Sequence, residues 1–129
     1  MRSMRSRATV LATAGLLSLG LAACGGGSDE ASDAPTVEPD VEVLGTDSLK
    51  YEPTELEADA GTIAIELTSG ESVEHNVVIE GVDGDAPVVT ANRGEAKVGT
   101  VDLEAGDYVF YCSIPGHRAA GMEGTLAVS

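Results

Sequence analysis

Between Cys112 and Met122 the chain reads Cys-Ser-Ile-Pro-Gly-His-Arg-Ala-Ala-Gly-Met. A thiolate, an imidazole and a thioether therefore share one short loop, at the spacing Cys-x4-His-x4-Met. Thiolate and thioether suit Cu(I), imidazole suits both copper states, and a His2Cys trigonal set with a weak axial Met is the arrangement of blue-copper sites. The loop also constrains the fold. A strand that ends at Cys112 must turn back and restart near Met122, and Pro115-Gly116 is turn chemistry within that reversal. A fourth donor has to come from elsewhere. The second histidine, His75, lies on the alternating run Val73, His75, Val77, Ile79, whose period of two reads as a strand. Because His75 is remote in sequence, the full donor set exists only once the chain has folded, and metal affinity is coupled to folding.

Scarcity strengthens this reading. Past residue 24 the chain holds one Cys, one Met and two His, and the proposed set uses all four. Singly, each has an ordinary explanation: a buried Cys is a small hydrophobe, a Met fills gaps, a His is a satisfied polar group. The runs Gly106–His117 (Gly-Asp-Tyr-Val-Phe-Tyr-Cys-Ser-Ile-Pro-Gly-His) and Ala120–Val128 (Ala-Gly-Met-Glu-Gly-Thr-Leu-Ala-Val) resemble the C-terminal signature of plastocyanin/azurin-type cupredoxins. The ligand spacing is most similar to that of auracyanin-like members. The resemblance implies a Greek-key β-sandwich and one mononuclear type 1 copper held by His75, Cys112, His117 and Met122. It implies further that Asn76 braces the two ligand segments through Ser113, and that His117 lies at an exposed edge among Ile114, Pro115, Ala119 and Ala120.

The chain opens with Arg2, Arg5 and Arg7, followed by an apolar run from Ala8 to Ala23. This reads as a signal peptide over 1–23, too short to span a membrane comfortably. Leu21-Ala22-Ala23-Cys24 resembles a bacterial lipobox, which implies that Cys24 is lipidated and becomes the mature N-terminus; an uncleaved N-terminal anchor helix is the alternative. Either places the domain outside the cytoplasmic membrane. With Cys24 at the lipobox and Cys112 in the ligand loop, no disulfide is expected, and coordination would protect a thiolate in an oxidising compartment. Residues 24–40 are rich in Gly, Ser, Asp and Ala and cannot bury enough apolar surface to fold. As a Gly/Ser-type coil they form a tether with a root-mean-square span of about 20–24 Å.

The domain is then 41–129, small enough to need a staple, which copper would supply. Strands are expected at Val41–Gly45, Glu55–Ala58, Thr62–Thr68, Glu74–Glu80, Val88–Ala91, Ala96–Leu103, Tyr108–Cys112 and Gly124–Val128, with no helical period of useful length; this is an all-β sandwich. Ile63, Ile65 and Leu67 should face the core. Tyr108, Phe110 and Cys112 should point inward, and Tyr111 outward as a surface port beside the Cys ligand or a plain exposed β-former. The cupredoxin resemblance covers most of 41–129, but Asp83–Gly94 matches no pattern of the family.

All 22 Asp and Glu lie after Cys24, against Lys50, Arg93, Lys97 and Arg118, a balance of 4 − 22 = −18. That excludes nucleic acid as a partner. Such a charge serves solubility and the monomeric state, or steers a basic redox partner, with Arg118 as a positive exception near the port. Four protein donors leave no open position for a substrate, so electron transfer is expected and enzymatic catalysis is not. A binuclear copper site would need a second Cys in the loop, and a copper nitrite reductase would be far longer. A copper store or chaperone is the alternative; a metal-free adhesin would require the four donors to be accidental. The expected partners are redox proteins such as a c-type cytochrome or a membrane oxidoreductase.

Overall fold

Nine strands follow one another in the computed structural model, which describes residues 37–129. They are β1 (Val41–Gly45), β2 (Tyr51–Glu52), β3 (Glu55–Ala58), β4 (Gly61–Ser69), β5 (His75–Ile79), β6 (Pro87–Ala91), β7 (Ala96–Leu103), β8 (Gly106–Tyr111) and β9 (Glu123–Val128). One sheet has the order β2-β1-β4-β7 and the other β3-β9-β8-β5-β6. Both are mixed: β1 runs parallel to β4 and β3 parallel to β9, while the remaining pairs are antiparallel. The chain crosses repeatedly from one sheet to the other, so most pairings join segments distant in sequence. This is the all-β sandwich expected from the pattern of short alternating runs.

The alternation of β4 explains its place in the core. Ile63, Ile65 and Leu67 are at most 1% exposed, whereas Thr62 is exposed and Glu66 half-buried. Val77, Ile79, Phe110 and Leu126 meet them from the facing sheet, all buried in the same cluster. Each such side chain contributes about 1.5–3 kcal/mol by leaving water. Tyr51 and Phe110 bridge the two layers with ring centroids 4.9 Å apart at 50°.

Observed strands differ from the expected ones at instructive places. β2, only two residues long, is too short to show a period. In β5 the period of two would turn Asn76 and Val78 outward, yet every residue of the strand is buried. β5 lies inside its sheet between β8 and β6, and the ligand loop covers Asn76 through Ser113. The Asp83–Gly94 stretch resolves into a tight turn, with Asp83 and Asp85 at positive φ, followed by edge strand β6. β6 opens with Pro87, a position where the missing N–H costs the ladder nothing. β8 stops at Tyr111, leaving Cys112 as the first residue of the loop. The expected signal peptide, Cys24 and nearly all of the tether lie outside the described residues.

Candidate metal centre

His75 begins β5, Cys112 follows β8, and Met122 precedes β9, so register brings all three to one end of the sandwich. The loop between Cys112 and Met122 is wound into turns by its own backbone. His117 N–H donates to Ile114 O (3.0 Å), Ala120 N–H to Gly116 O (3.1 Å), Gly121 N–H to Arg118 O (2.9 Å) and Met122 N–H to His117 O (3.1 Å). Cys112 N–H closes the loop on Met122 O at 3.1 Å. Gly121, at φ 98°, takes a conformation that a side chain would strain.

One ligand atom each from His75, Cys112 and His117 lies within 4.8 Å of the others. Cys112 Sγ is 3.4 Å from His117 Nδ1, and the two imidazole centroids are 5.2 Å apart. His75, Cys112 and Met122 are 0% exposed and His117 8%. The structure thus gathers the three residues, with Met122 buried at the end of the same loop.

His75 shows what the cluster is built to hold. Its Nε2–H donates to Thr46 O at 2.9 Å, which fixes the tautomer and leaves Nδ1 bare. Nδ1 is buried and without a hydrogen-bond partner among the described residues. A buried imidazole nitrogen so placed beside a thiol and a second imidazole is satisfied by a metal ion, and otherwise costs free energy. The donor set His75, Cys112 and His117, with the Met122 thioether, fits a single type 1 copper.

Electrostatics agree with this chemistry. Burial, and next the nearby His117, hold the His75 pKa below its ordinary 6.5, a shift that the Thr46 carbonyl and Asp47 only partly oppose. The imidazole is therefore kept neutral, the form that ligates. Burial pushes the Cys112 thiol above its ordinary 9.0, partly offset by the Asn76 and Ile114 backbone. Metal binding must release that proton.

Around the donors, Asn76 and Ser113 exchange two hydrogen bonds: Asn76 Nδ2–H donates to Ser113 Oγ (2.8 Å), and Ser113 N–H to Asn76 Oδ1 (2.8 Å). The segments bearing His75 and Cys112 are thereby tied side by side. Four residues at the β1–β2 connection complete the support; the family resemblance takes in Tyr51, but the sequence gives none of the four a role at the site. Gly45 has no Cβ, and one there would lie 2.6 Å from the His75 ring. Thr46 supplies the carbonyl. Lys50 Nζ donates to Ala120 O on the ligand loop, and Tyr51 Oη donates to the Asn76 carbonyl. No local pattern marks them, because each acts on a residue far along the chain.

Arg118 is not a free positive charge. Its Nη2 and Nε pair with Glu80 (2.7 Å) and Glu123 (3.2 Å), and its guanidinium stacks 4.0 Å from the centre of the Tyr111 ring. Tyr111, read as a surface port or an exposed residue, is half-buried beneath it.

Comparison with known proteins agrees with this geometry. The profile of the copper-binding proteins of the plastocyanin/azurin family matches residues 37–129. A plastocyanin from Nostoc punctiforme is 33% identical over 100 residues, covering 66% of this chain and 70% of that protein. Among solved structures, reduced auracyanin from Roseiflexus castenholzii superposes with a TM-score of 0.57 at 24% identity, over 69% of this chain and 95% of that one. A purple cupredoxin from Nitrosopumilus maritimus gives a TM-score of 0.52 at 26% identity, over 70% of this chain and all (100%) of that one.

Proposed function

This chain belongs to the plastocyanin/azurin family of copper-binding proteins, and from that premise we propose that it is a single-electron carrier anchored outside the cytoplasmic membrane, with His75, Cys112, His117 and Met122 as its copper ligands. The observation that carries the reading is the bare, buried Nδ1 of His75 facing a thiol and a second imidazole. Copper bound there supplies a one-electron Cu(II)/Cu(I) couple.

The protein's own groups then do the rest. Thr46 O holds the His75 ring, and the Asn76–Ser113 pair holds the Cys112 segment, so the donors are set before metal arrives and need little rearrangement between oxidation states. Met122 would offer copper a weak thioether donor, and that weak bond would tune the potential. Burial of all four leaves no position for a substrate, which argues for transfer and against catalysis at the metal. His117, the donor with residual exposure, lies on the loop with exposed Pro115, Ala119 and Ala120, and this apolar end is the exit for electrons toward a redox protein such as a c-type cytochrome or a membrane oxidoreductase.

Addition of Cu(II) to the purified chain should give an intense blue thiolate-to-copper band, and Cys112→Ser should abolish it. A colourless wild-type protein, or a blue Ser variant, would overturn the ligand assignment. Anchoring rests on the basic and apolar leader ending Leu21-Ala22-Ala23-Cys24. Each buried CH2 of a lipid chain adds about 0.8 kcal/mol, and stable anchoring takes two signals, which a diacylglyceryl Cys24 provides. Fatty-acid label should enter the wild-type protein and be lost in Cys24→Ser; label retained in the variant would sink the anchor.

A further inference from the structure

The two histidines of the donor set are held by different means. The His75 ring is fixed through its own Nε2–H, which donates to Thr46 O at 2.9 Å. Among the described residues no hydrogen bond holds the second ring nitrogen of His117, whose Nδ1 faces Cys112 Sγ at 3.4 Å. Nor does a ladder hold its backbone. Residues 114–121 form no strand, and their backbone hydrogen bonds, such as His117 N–H to Ile114 O (3.0 Å) and Met122 N–H to His117 O (3.1 Å), stay within the loop. What fixes this imidazole against the sandwich must therefore act through side chains. One is Lys50, which reaches Ala120 O from the β1–β2 connection.

The other is Arg118, the residue after His117. Its Nη2 donates to Glu80 Oε1 (2.7 Å), its Nε to Glu123 Oε2 (3.2 Å), and its guanidinium lies 4.0 Å from the centre of the Tyr111 ring. All three partners are fixed to one sheet. Tyr111 pairs with Glu123 across the β8–β9 ladder and with Val78 across β5–β8, and Glu80 N–H donates to Val109 O at 2.9 Å. They are also neighbours of the other donors along the chain: Tyr111 precedes Cys112, Glu123 follows Met122, and Glu80 follows the strand that His75 begins. One guanidinium thus joins the His117 segment to both edges of the ligand loop and to the end of β5.

We propose that Arg118 is the positioning residue for His117, and that its clasp on Tyr111, Glu80 and Glu123 sets the imidazole beside Cys112 before metal arrives and keeps it there afterwards. This rests on the electron-carrier reading above and adds a residue that holds a donor without being one. An exposed ion pair contributes little by itself, and the Arg118 side chain is 39% exposed, so the clasp acts through three contacts converging on one rigid group. That convergence needs arginine. A planar guanidinium donates in two directions while its face stacks on an aromatic ring, whereas a lysine ammonium is a point charge on a flexible stem. Arg118 lies outside the buried apolar cluster, so its removal loosens the loop and leaves the fold intact.

Two measurements test the clasp, the first without metal. In the metal-free chain the backbone order parameters of residues 117–121 should lie near about 0.85, the level of rigid backbone, and fall toward about 0.6 in Arg118→Ala. Equal values in the two chains would overturn the proposal, and since no copper is present that result is independent of the electron-carrier reading. In the second, the Cu(I)-loaded chain is mixed with bathocuproine disulfonate, and transfer of Cu(I) to this chelator is timed. Arg118→Ala should speed the transfer about tenfold or more, the scale on which groups that orient metal ligands act. Arg118→Lys should recover little of the loss, and Glu80→Gln and Glu123→Gln should each reproduce part of it. Lys97→Gln removes a positive charge paired with Glu95 outside the clasp and should leave the rate unchanged. Full recovery by the lysine variant, or an equal effect of Lys97→Gln, would mean that charge and not the clasp holds the loop, and would refute the proposal. A looser segment that loses copper no faster would refute it as well. A chain that takes up no copper would sink the electron-carrier reading, with the first measurement still deciding whether Arg118 sets the His117 segment.

Discussion

The ligand loop, Cys112–Met122, and the β1–β2 connection, Gly45–Tyr51, lie against each other at the same end of the sandwich and serve the same site in opposite ways. The loop contributes Cys112, His117 and Met122, three of the four candidate ligands, and announces itself by residue type. The connection contributes none, yet its Gly45 makes room for the His75 ring, its Thr46 carbonyl orients that ring, its Lys50 holds the loop and its Tyr51 holds the Asn76 carbonyl. Donor chemistry selects the metal, and the supporting shell selects the geometry in which it is held. Damage to the silent region should therefore cost as much as damage to the conspicuous one.

The strongest challenge to that equivalence is Gly45→Ala. A methyl group 2.6 Å from the His75 ring must displace either the ring or the strand, at a cost of about 1–3 kcal/mol in stability together with loss of the Thr46 hydrogen bond. Chemical denaturation and the copper absorption band should both change. An unaltered band and midpoint would mean that Gly45 is not needed by the site.

Tyr51→Phe asks a narrower question. It removes one hydroxyl and leaves the Asn76 carbonyl without that donor in the interior, so about 1–3 kcal/mol should be lost with the aromatic contact to Phe110 retained. A shift in reduction potential along with the stability loss would show that the connection reaches the metal through Asn76 and Ser113. Stability loss with an unchanged potential would confine Tyr51 to packing.

The two regions also predict the pH response of the metal-free chain. His75 has its pKa held below 6.5, so the folded state binds fewer protons than the unfolded state in acid, and stability falls as pH drops from about 6.5 toward the folded value. Cys112 has its pKa raised above 9.0, so its contribution is full below that value and declines as pH rises past it. Thermal unfolding of the metal-free chain should therefore be most favourable to the fold between about 6.5 and 9, with slopes up to about 1.4 kcal/mol per pH unit from each group. A stability maximum near pH 5 would contradict the burial of a neutral His75.

The smallest structural effect is expected within the loop itself. Met122→Leu conserves volume and should cost under about 1.5 kcal/mol. It should keep the blue colour and raise the reduction potential, as loss of a weak axial thioether does through the axial lever on blue-copper sites. Voltammetry giving a lower potential, or a protein that no longer holds copper, would remove Met122 from the axial role.

Residue type, spacing and period were enough, by themselves, to single out His75, Cys112, His117 and Met122 as candidate ligands, the all-β class and the core face of β4. Each of these is a property of a side chain's own chemistry or of neighbours a few residues apart, and such properties survive in the linear chain. Tertiary structure alone decided which nitrogen of His75 stays bare, because the carbonyl that claims the other nitrogen is 29 residues away, in the connection between β1 and β2. The burial of Asn76 against Ser113, 37 residues on, runs against the period of its own strand, and only the family resemblance pointed to that pairing. Arg118 is neutralised by Glu80, 38 residues away, although it reads as a free cation in the loop. The same holds for charge: a net balance is a sum that any arrangement satisfies. Which charges neutralise one another, as Arg118 does with Glu80 and Glu123, follows only from the segments that the sheet registers bring together.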